Sequence, residues 1–527
     1  MEFTVKGEPF FPLGGQAHNS SAYNAEEIAS AVAGVVALGG NFLEAPVYWE
    51  QLEPEEGRFD FSAVEALLDA CREASLKLVV LWFGTWKNGE MRYAPEWVKQ
   101  DTARFPRVVG YDGREMAVLS SYSKSTLAAD SRAFGELCSH LASADATGHT
   151  VIAVQVENEP GILGSDRDHG EAAEAALKEQ VPSQLIDFVR DRATGPVFDA
   201  WQAAGAKTGA DWIATFGVPG YELREAWSIA SYIDAVAAAG RDVFDRTMYT
   251  NAWLGGDGWQ VPGFYPAGGP VARVLDVWKV AAPNLDLIAP DIYIANPRRY
   301  ERACADYRRD DNPLFVPESS ASNANAMTMI TAIADYDAIG YACFAVDSVL
   351  DLEGNLRDGA HLFAASFAAT KSILPLLQRY RGTGKVHGIV YEEGAAFFAL
   401  DLERYRGMVP YSNLGVLRDV TDHRHRRAGR DETPAFGYVV EAGPYELYLA
   451  GSFHLHLVAN EPPDWTAAMR FPTVATPVDY LSVEEGTLRT DGSFVPHRTR
   501  NGDEVVFGGF WAEPDVGVVR IRLTPRD

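Results

Sequence analysis

Short apolar runs recur through the first 370 or so residues, and stretches with helical spacing separate them. Such runs suit strands that are buried on both faces of a parallel sheet, and their alternation with helices is typical of α/β folds. Eight of them predict a (β/α)8 TIM barrel. The runs are Phe10–Gly14, Asn41–Ala45, Lys77–Phe83, Val151–Val156, Arg246–Thr250, Leu287–Ile292, Leu314–Pro317 and Gly340–Phe344.

The pattern changes after about residue 385, where short alternating stretches are separated by Gly, Asp and Asn turns. This texture predicts a C-terminal antiparallel, sandwich-like β-domain over 385–527, following a barrel over 1–375. The interval of about 165–245 is rich in Ala, Glu and Trp and is too long for a simple connection. We therefore expect a helical insertion there, because long connections in barrels usually carry local structure or function.

Charge limits the partners that this chain can bind. Its 527 residues carry a formal net charge of −27. Polyanions bind to basic surfaces, so this balance argues against nucleic acid and anionic membranes and favours a neutral substrate. An acidic exterior is compatible with a monomer or a homodimer. The four cysteines form no CxxC pair and predict buried, reduced thiols.

The sequence also carries signals about location. No apolar run reaches the roughly 18 residues that a membrane helix requires. The first residues, Met-Glu-Phe-Thr-Val-Lys-Gly-Glu, contain no basic stretch followed by an apolar one. We expect a cytoplasmic protein; the alternative is that a signal peptide preceded this sequence and was removed.

Two apolar runs end in carboxylates. Val151–Pro160 closes with Glu157, Asn158 and Glu159, and Pro313–Glu318 repeats the pattern much later. Barrel enzymes keep catalytic residues at the carboxyl ends of strands. Retaining cleavage of a glycosidic bond needs two carboxyl groups about 5–5.5 Å apart, one as acid/base and one as nucleophile. Glu159 and Glu318 are therefore the candidate catalytic pair.

The tip of the first of these runs raises a geometric question. Strict strand alternation would send Asn158 and Glu159 to opposite faces, so both serve one site only if the strand twists or bulges there. The Asn158 amide could then bind the 2-hydroxyl of a sugar. Glu157 is expected to point into the barrel interior and to have a partner there.

Aromatic residues crowd the same strand ends. Sugar rings stack their C–H faces on aromatic side chains, while polar groups bind the hydroxyls. About half of these aromatics are expected to be core residues instead, and Tyr293 could hydrogen-bond a carboxylate nucleophile. The wider aromatic set also includes Tyr48 and Trp82, and the candidates for substrate binding are Trp49, Trp86, Trp253, Trp259, Tyr293 and, in the second run, Glu44.

Motifs for other chemistries are missing from the sequence. It contains no HExxH helix, P-loop, strand-linked GxGxxG or GxSxG elbow. Its 11 histidines form no ligand-type cluster, so we predict no catalytic metal and no cofactor. The charged run Asp422–Arg427 is interpreted as a solvated loop.

These residues resemble glycoside hydrolase family 35, the β-galactosidases of a retaining (β/α)8 clan, and especially its bacterial subgroup with a compact C-terminal β-domain. The resemblance implies that Glu159 is the acid/base, Glu318 the nucleophile and Asn158 the contact to the 2-hydroxyl. Many members carry an acidic residue where this chain has Thr85, and the aromatic-proline pattern after the second strand is altered. The matching stretches are Asn41–Pro54, Gln155–Gly161, Val316–Ser319, Tyr336–Tyr341 and the tail Asp479–Glu504.

The resulting hypothesis is a retaining exo-β-glycosidase, with a β-galactosidase acting on terminal galactose of oligosaccharides as the first choice. The departures at Thr85 and after the second strand leave the sugar open, so a β-glucosidase, β-xylosidase or arabinosidase of the same mechanism is the nearest alternative. A non-catalytic carbohydrate-binding barrel is the rival from another class.

Overall fold

The computed structural model describes residues 2–255, 260–392, 395, 397–410, 434–459, 478–505, 509–514 and 516–524. They form two compact units. The first comprises Met1–Tyr293, Ala303–Ser320 and Ile339–Gly354, and the second comprises Ile294–Arg302, Ala321–Ala338 and Asn355–Asp527. Each unit has its own sheet system.

A parallel sheet forms the centre of the first unit. Its strand order, β10-β9-β8-β5-β4-β3-β11, follows the order of the chain, so each strand pairs with its successor and β11 returns to β3. The strands of this unit are β1 (Phe3–Val5), β2 (Glu8–Phe10), β3 (Leu13–Gln16), β4 (Phe42–Tyr48), β5 (Lys77–Lys87), β6 (Arg107–Val109), β7 (Glu115–Leu119), β8 (Val151–Asn158), β9 (Thr247–Trp253), β10 (Leu287–Asp291) and β11 (Tyr341–Phe344).

The segment 314–318 fills the eighth position without forming a regular strand. The Ala342 amide donates to the Val316 carbonyl at 2.8 Å, and the Ile292 amide donates to the Glu318 carbonyl at 2.9 Å. The segment thus lies between β11 and the end of β10 and closes the barrel. Pro313 precedes the segment and Pro317 lies within it, and because proline has no N–H, a full ladder of hydrogen bonds cannot form.

The predicted barrel is confirmed, and six of its runs coincide with strands. The first run is displaced: the strand begins at Leu13, because Phe10 pairs with Phe3 in the separate β1–β2 hairpin. Helix α1 begins after the predicted N-cap Asn24, whose side chain accepts hydrogen bonds from two backbone amides. It ends at Gly39, whose φ of 73° is left-handed and suits glycine.

Helices occupy most of the connections between the parallel strands. Helices α6 to α10 lie within the long interval between β8 and β9, where the insertion was predicted. The helices of the described residues are α1 (Ala25–Leu38), α2 (Trp49–Leu52), α3 (Ser62–Glu73), α4 (Glu96–Gln100), α5 (Lys124–Ala144), α6 (Glu171–Ala176), α7 (Ser183–Arg192), α8 (Pro196–Ala203), α9 (Trp212–Phe216), α10 (Gly220–Arg241), α11 (Leu275–Ala281), α12 (Pro297–Tyr307), α13 (Asn323–Ala334) and α14 (Asp358–Tyr380).

The second unit is built on antiparallel strands, as predicted. Its long strand β16 pairs with β15 and β20 through its first half and with β14 and β19 through its second half, so it joins two sheet portions around one apolar core. The strands are β12 (Val386–Val390), β13 (Phe397–Asp401), β14 (Tyr405–Pro410), β15 (Phe436–Gly443), β16 (Glu446–Ala459), β17 (Tyr480–Leu488), β18 (Phe494–Arg500), β19 (Gly509–Ala512) and β20 (Val518–Leu523).

Two sequence expectations concern burial. No continuous apolar run of membrane-spanning length was expected, yet helix α14 is long and, on average, apolar enough to cross a membrane; 56% of its most apolar window is buried, as is usual for a core helix. Thr370 on this helix hydrogen-bonds to Tyr438 of β15 at 2.8 Å. All four cysteines are buried, as expected. The charged run Asp422–Arg427 lies outside the described residues.

Candidate active site

Three carboxyl groups converge at the carboxyl ends of the barrel strands. Glu159 follows β8, Asp291 ends β10 and Glu318 ends the 314–318 segment. One carboxylate oxygen from each lies within 4.8 Å of the others, and all three side chains are buried. The structure thus brings together the two residues singled out from the sequence and adds a third.

The tip of β8 departs from regular strand geometry. Glu157 has a φ of 63° and Glu159 a φ of 45°, both left-handed. Such conformations cost of order 1–3 kcal/mol each for a residue other than glycine, and they interrupt the alternation of side chains. As a result Asn158 and Glu159 both reach the same site: the Asn158 amide nitrogen lies 3.3 Å from Glu318 Oε1.

Glu318 is surrounded by hydrogen-bond donors. Its Oε1 accepts from Gln16 Nε2 at 2.9 Å, Asn251 Nδ2 at 3.1 Å and Asn158 Nδ2 at 3.3 Å. Its Oε2 accepts from the Tyr293 hydroxyl at 2.7 Å. Four donors stabilise the anionic form of a carboxylate and fix its orientation, as a nucleophile requires.

Glu159 has the opposite environment. Burial, together with the nearby charge of Glu318, raises its pKa to about 7, although Lys87 and a hydrogen bond with Asp291 act in the other direction. Its Oε2 accepts a hydrogen bond from Asn88 Nδ2 at 2.5 Å. A carboxyl group with a pKa near neutrality can both donate and accept a proton, which is the property of a general acid/base.

Lys87 is the cation of the site and sets the orientation of Asn158. Its Nζ donates to Asn158 Oδ1 at 2.7 Å, so the amide nitrogen of Asn158 is the end that faces Glu318. The same residue ends β5 in register with Asn158. A buried positive charge next to three carboxyl groups also reduces the cost of having one of them ionised.

Glu44 lies deeper in the barrel, where it is fully buried. Burial and the charge of Glu318 raise its pKa well above the usual range. Its Oε1 accepts from the Tyr249 hydroxyl at 3.4 Å, and its Oε2 has no partner among the described residues. The predicted role of Glu44 in binding substrate stays a prediction.

The prediction that Glu157 points into the barrel interior is wrong. Its oxygens accept from the backbone amides of Thr85 and Trp86 at 3.1 and 2.7 Å, and its carboxyl hydrogen-bonds to Asp130 of helix α5. The left-handed turn at this residue is the reason, because it rotates the side chain towards β5 and its covering helix. Glu157 therefore holds the end of β5, which carries Lys87.

The aromatic candidates fall into different environments. Tyr293 is 42% exposed although its hydroxyl binds Glu318, and Trp253 is 36% exposed at the end of β9, opposite Asp291 in the sheet register. Both can offer a ring face to a ligand. Trp49 instead is fully buried, donates to Glu53 Oε2 and packs on Trp82 and Trp97, which are the contacts of a core residue.

Trp86 is also buried, with an edge-on contact to Tyr232. Its indole nitrogen has no hydrogen-bond partner among the described residues. Buried donors are normally satisfied, so a ligand hydroxyl is one acceptor that this nitrogen could use. Trp259 lies outside the described residues, and its predicted contact to the sugar stays a prediction.

Sequence reasoning missed five residues of this site. Gln16, Lys87 and Asp291 end strands, Asn251 lies near the end of β9, and Asn88 follows β5. Polar residues at strand ends were the signal that identified Glu159 and Glu318, and the same signal applied to every run would have found Asp291. The left-handed tip and the pairings across the barrel mouth have no sequence signature.

The three carboxyl groups are also the set, within the part of the chain that the structure describes, whose oxygens have metal-ligand spacing. Acidic clusters occur widely without an ion, and Lys87 already supplies a positive charge next to this one. The expected absence of a catalytic metal stays a prediction.

A parallel barrel with paired carboxyl groups at its strand ends is the architecture of enzymes that cleave glycosidic bonds. Comparison with known families agrees: residues 2–229 match the family model Glycosyl hydrolases family 35. The match contains Glu159 but ends before Glu318. Residues 363–510 match a Domain of unknown function (DUF5597).

Relatives with curated names align with the same part of the chain. Human Beta-galactosidase-1-like protein 3 is 31% identical over 173 residues, covering 32% of this chain and 24% of its own length. A Beta-galactosidase of Xanthomonas manihotis is 30% identical over 174 residues, with coverages of 31% and 26%. The chain thus spans about a quarter of the length of these relatives.

Solved structures also align with the chain. A beta-galactosidase from Rahnella sp. R3 aligns with a TM-score of 0.48 and 17% identity, covering 72% of this chain and 58% of its own. A beta-galactosidase from Halorubrum lacusprofundi gives 0.47 and 16%, with coverages of 68% and 58%.

Proposed function

We propose that this protein is a retaining exo-β-glycosidase whose preferred substrate is a terminal β-galactoside. One observation carries the proposal: oxygens of Glu159 and Glu318 lie within 4.8 Å of each other. Inverting enzymes keep their two carboxyl groups about 6.5–9.5 Å apart to admit a water molecule, whereas retaining enzymes keep them at about 5–5.5 Å. The close approach of these oxygens supports the retaining arrangement.

In the first step Glu318 attacks the anomeric carbon and Glu159 gives its proton to the departing oxygen. Glu318 suits the attack because four donors fix its orientation. The bond to the leaving group breaks as the bond to Glu318 Oε forms, and the aglycone leaves with the proton from Glu159. A covalent glycosyl-enzyme results.

In the second step Glu159, now ionised, takes a proton from water, and the resulting hydroxide attacks the anomeric carbon. Glu318 leaves as a carboxylate, and the sugar is released with its original anomeric configuration. Glycosylation of Glu318 removes the charge that raises the pKa of Glu159. The pKa of Glu159 therefore falls, which keeps the group ionised at the stage when it must act as a base.

Galactose as the sugar is supported by the relatives' names and not by a contact in this chain. Thr85 stands where many family members have an acidic residue, and its hydroxyl is buried with Asp130 at 2.7 Å and Tyr232 at 2.8 Å. That side chain is engaged in packing and cannot bind a sugar hydroxyl. The observation favours a second candidate, a β-glycosidase of the same mechanism acting on glucosides, xylosides or arabinosides.

A panel of 4-nitrophenyl glycosides tests both candidates. We expect release of nitrophenol from the β-galactoside at the highest kcat/KM, and the highest rate on another β-glycoside would select the second candidate. Hydrolysis of no member of the panel, or of any galactosylated oligosaccharide, would favour the non-catalytic carbohydrate-binding barrel.

Azide rescue assigns the two carboxyl groups separately. We expect Glu318→Gly to lose hydrolysis, and added azide to attack from the vacated side and yield the α-glycosyl azide from an activated β-glycoside. Glu159→Gly should yield the β-glycosyl azide, because azide then replaces water in the second step. Both variants should unfold at the wild-type temperature, and the same azide anomer from both would contradict the assignment.

A direct test of retention is proton NMR of the product during the first minutes of hydrolysis. We expect the β-anomer to appear first and the α-anomer to follow by mutarotation. Initial release of the α-anomer would refute double displacement.

A cytoplasmic location is also part of the proposal. It is supported by four buried cysteines, since thiols persist in reducing compartments. Fractionation of cells that make the protein, followed by detection in the soluble cytoplasmic or the exported fraction, tests it.

A further inference from the structure

Asp291 is a third carboxyl group at the heart of the site, and the two-carboxylate mechanism does not use it. It is 3% exposed, and one of its oxygens lies within 4.8 Å of oxygens of both Glu159 and Glu318. Its Oδ2 accepts from Asn251 Nδ2 at 2.8 Å. Its Oδ1 is buried and has no conventional donor among the described residues.

The two oxygens of Asp291 therefore have different environments. An ionised carboxylate oxygen without a donor is costly to bury, whereas a protonated one needs only an acceptor. The carboxyl group of Glu159 is hydrogen-bonded to Asp291. Two carboxyl groups can hydrogen-bond only if one of them holds a proton, which places a proton between these two residues.

The surroundings decide which residue holds that proton. Burial, then the charges of Glu318 and Glu159, raise the pKa of Asp291 well above its usual range, whereas that of Glu159 reaches about 7. Lys87 is the group that lowers the pKa of Asp291 and so favours its ionisation. The remaining groups near it are the hydroxyls of Tyr249, Tyr293 and Tyr307.

We propose that Asp291 is a positioning residue for the acid/base: it stays protonated through the reaction and donates a hydrogen bond from Oδ1 to Glu159. This inference rests on the proposed roles of Glu159 and Glu318. On the other side of Glu159, Asn88 donates to Oε2. Glu159 is thus held between two donors that stabilise its ionised form during the second step.

The protonated state has a consequence for net charge. With Asp291 neutral, the resting site holds the negative charge of Glu318 against the positive charge of Lys87, and the proton of Glu159 can leave and return without a third carboxylate opposing it. If Asp291 were ionised, its charge would raise the pKa of Glu159 further and leave a smaller ionised fraction to act as the base of the second step.

Two substitutions separate the neutral from the ionised state. Asp291→Asn is a neutral isostere: its oxygen can still accept from Asn251, and its amide nitrogen can donate to Glu159. We expect it to keep the alkaline limb of the kcat/KM profile within about 0.3 pH units of the wild type and to retain kcat within roughly tenfold. Asp291→Ala removes the donor and should raise that limb by about one unit, since the ionised form of Glu159 then loses a charge-assisted hydrogen bond.

Each contrary result overturns the proposal. A downward shift of the limb by a unit or more in Asp291→Asn would mean that an ionised Asp291 had been raising the pKa of Glu159. An unchanged profile in Asp291→Ala would mean that Asp291 does not act on Glu159. Thermal unfolding of both variants shows whether lost activity reflects lost fold, and the position of the limb is independent of how much folded enzyme is present.

Infrared spectroscopy gives a readout that does not require turnover. At pH 8, above the pKa of about 7 of Glu159, the wild-type minus Asp291→Asn difference spectrum should contain the C=O band of a protonated carboxyl group. Its absence would overturn the proposal. An inactive wild-type enzyme that shows this band would refute the glycosidase function while leaving the protonation of Asp291 intact.

Discussion

Removing the charge of Glu318 should lower the pKa of Glu159, and this tests the physical link between the two halves of the mechanism. Glu318→Gln is the suitable change. The glutamine oxygen can replace Oε1, which accepts from Gln16, Asn158 and Asn251, and the amide nitrogen can donate to the Tyr293 hydroxyl. The variant is therefore expected to fold like the wild type.

The size of the effect follows from the separation of the two groups. One oxygen of each group lies within 4.8 Å of the other, and two unit charges at that separation repel by about 3.5 kcal/mol at an effective dielectric constant of about 20, which corresponds to roughly 2.5 pKa units. The donors around Glu318 disperse its charge and reduce this repulsion. Burial is the larger cause of the raised pKa, so we expect a fall from about 7 by roughly 1–2 units.

The assay is a pH titration followed by ¹³C NMR of protein labelled at the glutamate carboxyl carbon. The signal of Glu159 is assigned by its loss in Glu159→Gln. Glu44→Gln is the matched control, since it removes another buried carboxyl group that contributes nothing to the raised pKa of Glu159. A pKa that stays near 7 in Glu318→Gln would refute the reasoning, because burial alone would then account for the shift.

Three further predictions concern activity and stability. The kcat/KM profile should fall above about pH 7, because Glu159 must be protonated in the first step; a rate that keeps rising to pH 9 would contradict this. Asn251→Ala removes donors to Glu318 and Asp291 and should lower kcat by roughly 10–100-fold in steady-state assays; wild-type kcat would contradict the contacts. Glu225 is buried and has a pKa of about 8 in the folded protein, against about 4.5 in the unfolded chain. Because the unfolded chain ionises first, the free energy of unfolding should fall as the pH rises from about 4.5 to 8. Glu225→Gln should thus raise the unfolding temperature at pH 8 but not at pH 4, and equal shifts at both would disprove the linkage.

The catalytic assignment illustrates what a strand-end signal can and cannot identify. Glu159 and Glu318 were predicted because each closes an apolar run, and the structure places them together. Asp291 ends the observed strand β10, but in the predicted run Leu287–Ile292 it is followed by Ile292 and is not the terminal residue. Asn251 directly follows the run Arg246–Thr250 but lies inside the longer strand β9, and its contacts with Glu318 and Asp291 form only when the neighbouring strands are in place.

Trp49 and Trp253 show a similar limit for aromatic residues. Both are tryptophans near strand ends, and both were candidates for stacking on sugar. Trp253 is partly exposed, whereas Trp49 begins helix α2 and is covered by Trp82 and Trp97. Whether such a ring meets solvent depends on the elements that pack over it, which local sequence does not encode.

The sequence by itself determined the barrel, because eight apolar runs of strand length can be buried on both faces only in a parallel sheet covered by helices. It also determined the antiparallel character of the second unit, through alternation and turns. The tertiary structure alone decided which side chains contact one another at the mouth of the barrel. The left-handed turns at Glu157 and Glu159 have no sequence signature. The donors around Glu318 and the pairing of Asp291 with Glu159 join residues far apart in the chain. Electrostatic effects of this kind depend on distances and burial that exist only in the folded protein.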